Sequence, residues 1–342
     1  MKKFIKIFSV VIILSIICST CLFACKKDDN TKTEEKDSLS YTFITSKQIS
    51  FGSYPQTIAK NVELSDIKTG EYDEATGYYK YNGKTYAIIT ATPSVENATF
   101  SNESSVIAGQ EYAFVVEDII WNIIYSKEDN AFVCMSNKIL DITNFQNVAN
   151  IAGDSTDRYF YKDDEGVKYN GGDKWVYANS YEYSTLRKFA NTFYKKAFDT
   201  NQVKDIVVTT VDNKTKYNNN NAFTSVQKNT EDKIYSLSVN EATRSTYGFV
   251  DSGDIATNKR LTEVSDYAIA KGVLFAIRTK DKVERRYGEW WLRSPYGNEH
   301  AASVYFVTTQ GNISSTALVS EDFRDTETYK GFLPIVRVRK SA

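Results

Sequence analysis

The hexapeptide Trp290-Trp-Leu-Arg-Ser-Pro295 gathers the side chains of this 342-residue chain best suited to hold a ligand. Alternation along a strand sends the Trp290 and Trp291 rings to opposite faces. One ring belongs to a core. The other can cover a second layer or stack on a sugar. Arg293 shares the face of Trp291, where a guanidinium can stack on an aromatic ring and still present its fork to a carboxylate. A buried ion pair with Asp232, Glu241 or Asp266 is the plainer use for Arg293, and Arg187 can serve similarly. Ser294 and Pro295 complete the motif. Beyond it, Tyr296-Gly-Asn-Glu-His300 must leave the strand as a polar loop on a rigid element, where binding residues gather. Tyr296, Asn298 and Glu299 are therefore ligand candidates. Asn298 with Glu299 could hold a sugar hydroxyl or Ca²⁺, although an ordinary solvated turn is the plainer reading of the loop.

Other chemistry has little material. His300 is the sole histidine, so neither a His₃ nor a structural zinc site can form. A Ser-His-Asp triad would have to use His300, and no nucleophile-elbow sequence exists. No phosphate-binding glycine loop is present. Cys134, in Ala131-Phe-Val-Cys-Met135, reads as a small buried hydrophobe. No residue is assigned to catalysis or to a metal, and no cofactor is expected, with Ca²⁺ entering only through the loop just described. A carboxylate pair for glycoside hydrolysis stays open, because its separation is a structural quantity.

The N-terminus sets an address. Lys2, Lys3 and Lys6 precede an apolar run from Phe8 to Phe23 that ends at Leu22-Phe-Ala-Cys25. This is the order of a secretory signal, and the run of about 16 residues is short of the roughly 20 a spanning helix needs. The tetrapeptide resembles the lipobox of bacterial lipoproteins, which implies lipidation of Cys25, removal of residues 1–24 and a membrane partner reached through a lipid anchor. Three of the 42 basic residues leave with the signal, so the mature chain carries 39 against 43 acidic ones, a net charge of −4. Such a surface makes no case for nucleic acid. Abundant Tyr and Phe without disulfides fit a Gram-positive surface protein.

Residues 25–48 read as the lipidated Cys and a charged tether with almost nothing apolar to order it. A single domain is expected over 49–342, with 49–135 a candidate β-rich sub-lobe. Asn82-Gly83 between aromatic-rich runs predicts a hairpin. Strands are expected at 111–116, 119–125, 130–135, 303–308, 313–318 and 332–338. Apolar spacing predicts a helix over Thr185–Phe198 capped by Ser184. Ser238 with Glu241 forms a capping box, and a third helix over Glu263–Ala270 stops at Gly272. The stretch between Val211 and Asp232 reads as a long loop. The expected class is α+β, mostly antiparallel sheet with two or three helices inserted mid-chain.

Four segments taken together resemble one family: Phe51-Gly-Ser-Tyr-Pro-Gln56, Ser184-Thr-Leu-Arg-Lys-Phe-Ala-Asn191, Tyr235-Ser-Leu-Ser-Val-Asn-Glu-Ala242 and the Trp290–Pro295 hexapeptide. Their order is similar to the domain-of-unknown-function 6273 family of Firmicutes surface and secreted proteins, over roughly residues 49–340. That family closes on Gly-Val-Arg-Pro. Here Gly331-Phe-Leu-Pro334 stands in its place, with Leu333 where the Arg is expected. The closing motifs are also distantly similar to C-type-lectin-like and formylglycine-generating-type folds.

These readings combine into a lipid-anchored, extracytoplasmic, non-catalytic binding module on the outer face of the cytoplasmic membrane, directed at a glycan or a surface protein. Two other classes compete with it. One is a carboxylate-based hydrolase of envelope polysaccharide. The other is the solute-binding lipoprotein of a transporter, which would need two α/β lobes.

Overall fold

A computed structural model describes residues 39–340 apart from 129, 147–149, 152–158, 162–175, 178, 214–227, 281–282, 297–302 and 318–328. Cys25 and the loop residues Asn298, Glu299 and His300 lie outside the described residues. The described chain from Leu39 on forms one compact unit. No helix among the described residues is long and apolar enough to cross a membrane.

The fold is α+β and mostly antiparallel. A nine-stranded sheet runs in the order Ile234–Tyr235, Ile335–Arg339, Ala131–Ser136, Glu111–Tyr125, Lys84–Thr90, Tyr78–Tyr81, Glu71–Asp73, with Gln48–Ile58 also paired to Glu111–Tyr125 and Thr42–Thr45 paired in turn to Gln48–Ile58. Strand Ile335–Arg339 thus joins the sheet that holds residues 49–135, which is continuous with the rest of the domain. A five-stranded sheet contains Ile313–Ala317, Ser303–Val307, Trp290–Pro295, Tyr329–Phe332 and Asp141–Asn144. Two parallel contacts interrupt the antiparallel pattern, Glu263–Val264 with Lys138–Ile139 and Trp290 with Gly331.

Local chemistry explains the elements. Asn82 (φ 47°) and Gly83 (φ 72°) are both left-handed between strands Tyr78–Tyr81 and Lys84–Thr90, as a two-residue primed turn requires. Ser184 Oγ accepts from Arg187 N–H and starts the helix Thr185–Ala197. Its buried stripe is Leu186, Ala190, Phe193 and Ala197, each large member contributing about 1.5–3 kcal/mol of burial. Ser265 caps the helix Asp266–Lys271, which ends at Gly272 with φ 102°. Two short helices, Leu64–Ile67 and Val239–Ala242, complete the described α-helices, and the first of them has no counterpart in the sequence reading.

The structure corrects the sequence reading in four places. Glu263 and Val264 form a strand, so the third helix starts at Asp266, after its cap Ser265. The strand expected at 332–338 is two strands, Tyr329–Phe332 and Ile335–Arg339, parted at Leu333-Pro334 and placed in different sheets. Ordered chain begins earlier than residue 49. Strand Thr42–Thr45 pairs with Gln48–Ile58, because Tyr41 and Phe43 bring rings that pack on Phe51 and Phe132. The two strands expected at 111–116 and 119–125 are one strand, Glu111–Tyr125. Glu117 and Asp118, which looked like a break, instead serve bulges in the facing strand Gln48–Ile58. Thr57 N–H donates to Glu117 Oε1, Ser50 Oγ donates to Asp118, and Gln56 Nε2 donates to both backbone carbonyls.

Those bulges also account for Phe51-Gly-Ser-Tyr-Pro-Gln56. Gly52 sits at φ 73° with the Phe198 ring 2.6 Å from where a Cβ would lie. Pro55 lies beside the second register shift, a place in a sheet that tolerates its missing N–H. Phe51 O accepts from Trp121 Nε1 at 2.7 Å.

Candidate functional site

The Trp290–Pro295 motif proves to be interior. Both tryptophans are 1% exposed and Arg293 is 4% exposed. Trp290 Nε1 donates to Arg260 O, and Trp291 Nε1 donates to Thr143 O at 2.7 Å. Neither ring offers a free face for a sugar, so the ligand role considered for Trp291 has no surface to act through. Arg293 donates to Glu241 and, at 2.8 Å, to Ser236 O, and its guanidinium lies over the Tyr235 ring. Of the three carboxylates considered for Arg293, Glu241 is the partner. Asp232 instead receives Arg187 Nε at 2.8 Å, and Asp266 receives Ile58 N–H and Ser101.

Glu241 does two jobs. Its Oε2 accepts Ser238 N–H at 2.7 Å in the capping box and also meets Arg293. Burial pushes its carboxyl upward, but the Arg293 charge and these hydrogen bonds outweigh that and hold it below its usual value. Ser294 Oγ accepts Val239 N–H at 3.0 Å, and Arg293 N–H donates to Leu237 O. The hexapeptide and the segment 235–242 are thus stitched to each other, which explains two motifs with one device. Pro295 ends the strand, and Tyr296, half-buried, packs its ring edge-on against Tyr305 at 5.2 Å. Cys134 is fully buried, and burial pushes its thiol far up, which removes it as a nucleophile at neutral pH.

A surface cleft of about 590 Å³ opens elsewhere, between the two main helices. Its floor is Ile142, Thr143 and Asn144 of strand Asp141–Asn144, and Tyr329 stands opposite Asn144 on the paired strand. Thr185 and Phe189, four residues apart, project from one face of the long helix as one wall. Lys271 and Gly272 at the end of the short helix form another, joined by Thr92 and Ser94. Thr92 N–H donates to Ala270 O at 2.7 Å and Ser94 Oγ to Gly272 O at 2.5 Å. A side chain at position 272 would meet Thr92 O at 2.5 Å. Trp291 holds the floor from behind through Thr143 O.

Chemically the cleft offers aromatic faces beside hydroxyls and an amide. Phe189 is half-buried against Phe332, with ring centroids 5.1 Å apart, while Tyr329 is 39% exposed. Thr92, Ser94, Thr143, Thr185 and Asn144 supply hydroxyls and an amide, and Lys271 supplies one cation. Among the described lining residues there is no carboxylate. Asp141 lies just inside, where it accepts Tyr54 OH at 2.6 Å and Ile142 N–H at 2.7 Å and pairs with Lys271. Among the described residues no group of three or more His, Cys, Asp or Glu could hold a metal ion.

The sequence reading pointed to none of these lining residues as ligand contacts. They come from five separate segments, so no local spacing could announce them. The one usable signal was Phe189, whose position falls at the edge of the helix's apolar stripe.

No curated protein and no solved structure matches the chain. One family's sequence profile does match, over residues 146–338, more than half of the chain. That span holds three of the four motifs and leaves Phe51–Gln56 outside, so it is narrower than the 49–340 read from the motifs. On this match the chain belongs to the family described as Domain of unknown function (DUF6273).

Proposed function

We propose that the protein is a non-catalytic saccharide-binding module, lipidated on Cys25 and held at the outer face of the cytoplasmic membrane of a Gram-positive cell. The observation that carries the binding role is the cleft: about 590 Å³, within the usual range for small-ligand sites, lined by aromatic rings next to hydroxyls and an amide. Sugars present apolar ring faces and hydroxyl edges, and Phe189 with Tyr329, beside Asn144 and the threonines, complements both. The C-type-lectin-like resemblance is an analogy of fold, and fold does not imply function. The reading therefore rests on the cleft. The hydrolase reading finds no acid–base pair among the described lining residues. The contiguous nine-stranded sheet gives no support to the two α/β lobes of a solute-binding protein.

Thermal unfolding of the detergent-purified full chain against an array of oligosaccharides tests the binding role. A ligand at 100 times its Kd adds about 2.7 kcal/mol, a rise of several degrees. The rise should disappear in Tyr329→Ala while the unliganded Tm stays close to the parent. A rise untouched by Tyr329→Ala and by Phe189→Ala places any site elsewhere, and steady release of sugar fragments by the parent chain would return the hydrolase reading. For the anchor, Cys25→Ala should leave the protein unlipidated and lost from the membrane fraction.

A further inference from the structure

We infer that the saccharide taken by this cleft is anionic, and that Lys271 receives its carboxylate or phosphate group; the inference rests on the saccharide reading above. Lys271 is the one charged side chain among the described lining residues. Its geometry differs from that of a lysine kept only to neutralise a buried acid. Lys330 is such a lysine: its side chain is 7% exposed, its Nζ lies 2.6 Å from Glu289 Oε2, and the Phe306 ring closes over it at 3.8 Å. The Lys271 side chain is 29% exposed and lines the cleft.

Asp141 does not need Lys271 for all its contacts. Tyr54 OH and Ile142 N–H already reach its two oxygens from the inside. Lys271 Nζ adds a third contact at 2.5 Å to Oδ1. An ammonium has three donors, and this pair uses one. The rings of Tyr267 at 5.3 Å and Phe189 at 6.0 Å flank the cation, so it is positioned before any ligand arrives. Asp141 cancels much of the distant field. Selection therefore comes through a short charge-assisted hydrogen bond inside the cleft, not through long-range attraction. No acid among the described lining residues opposes it.

The test is binding of the detergent-purified full chain to an array of neutral, carboxylated and phosphorylated oligosaccharides, repeated with variants. The expected result is retention of carboxylated or phosphorylated members, and the retained arm says which anion is used. Lys271→Met should weaken that retention about ten- to hundredfold, as for loss of a hydrogen bond to a charged group. Lys271→Arg should keep most of it. Because Lys271→Met strands Asp141, the Lys271→Met/Asp141→Asn double variant serves as the folded control and should show the same loss. Retention of neutral members alone, or acidic retention unchanged in the folded double variant, overturns the inference and leaves the saccharide reading in place. Retention of nothing on the array sinks the saccharide reading itself.

Discussion

The outer edge of the nine-stranded sheet and the Arg293 strand treat the same ion pairs in opposite ways. At the edge, Lys80 meets Glu71 at 3.4 Å, and at the exposed start of the inner strand Glu111–Tyr125 Lys68 meets Glu111 at 2.7 Å, all four side chains exposed. Inside the span matched by the family, Arg293–Glu241 and Lys330–Glu289 are buried, and Arg187 reaches a buried Asp232. Arg260 is fully buried and donates to the carbonyls of Gly311, Ala242, Val250, Ser252 and Ile255. Exposed pairs are screened and contribute about 0–1 kcal/mol. Buried ones need every partner in place, since removal of one leaves a charge without compensation. The edge is thus tolerant of change, and the interior network fixes one arrangement of segments that are distant in sequence.

The sharpest way to break this contrast is Arg293→Met. It strands Glu241 and should destabilise by about 3–5 kcal/mol in urea unfolding. Replacing both partners, as Arg293→Met/Glu241→Gln, should recover much of that loss. Acid gives the same contrast without mutation. Glu241 is held below its ordinary value of about 4.5, so its contribution is complete above that pH and is lost as pH falls through the lower folded value. The urea midpoint should drop below about pH 4.5, and less steeply in the double variant.

Smaller effects test the joints between the regions. Gly272→Ala forces a Cβ onto Thr92 O at φ 102° and should cost about 1–3 kcal/mol, with Thr92 and Ser94 displaced from the cleft wall. Ser184→Ala removes the cap of the long helix and should cost about 1 kcal/mol by the same unfolding measurement. Lys80→Ala should change stability by less than about 0.5 kcal/mol. A loss at Lys80 as large as that at Arg293 would erase the distinction.

What the sequence made legible was short-range. Asn82-Gly83, Ser184, Ser238 with Glu241, and Gly272 each declare a turn or cap through a backbone requirement satisfied within four residues. The apolar stripe of the long helix was legible for the same reason. Glu117-Asp118 misled, because polarity in a strand looks like a break unless the bulged partner it serves is known. Partner choice within the charge network was also hidden: Arg293 had three candidate acids, and only the packing of Ser238–Ala242 beside the hexapeptide selects Glu241. The cleft was illegible because strand pairing, a long-range property, assembles it. Cys25, Asn298 and Glu299 fall outside the described residues.

Strand Ile335–Arg339 sits between Ile234–Tyr235 and Ala131–Ser136, and its Arg337 meets Glu128, 209 residues away in sequence. A ribosome making this chain has emitted nearly all the sheet before the strand that belongs inside it exists. The growing chain therefore stays open at the place where its core should close. The order of synthesis thus makes the last strand of the chain the one that closes the sheet.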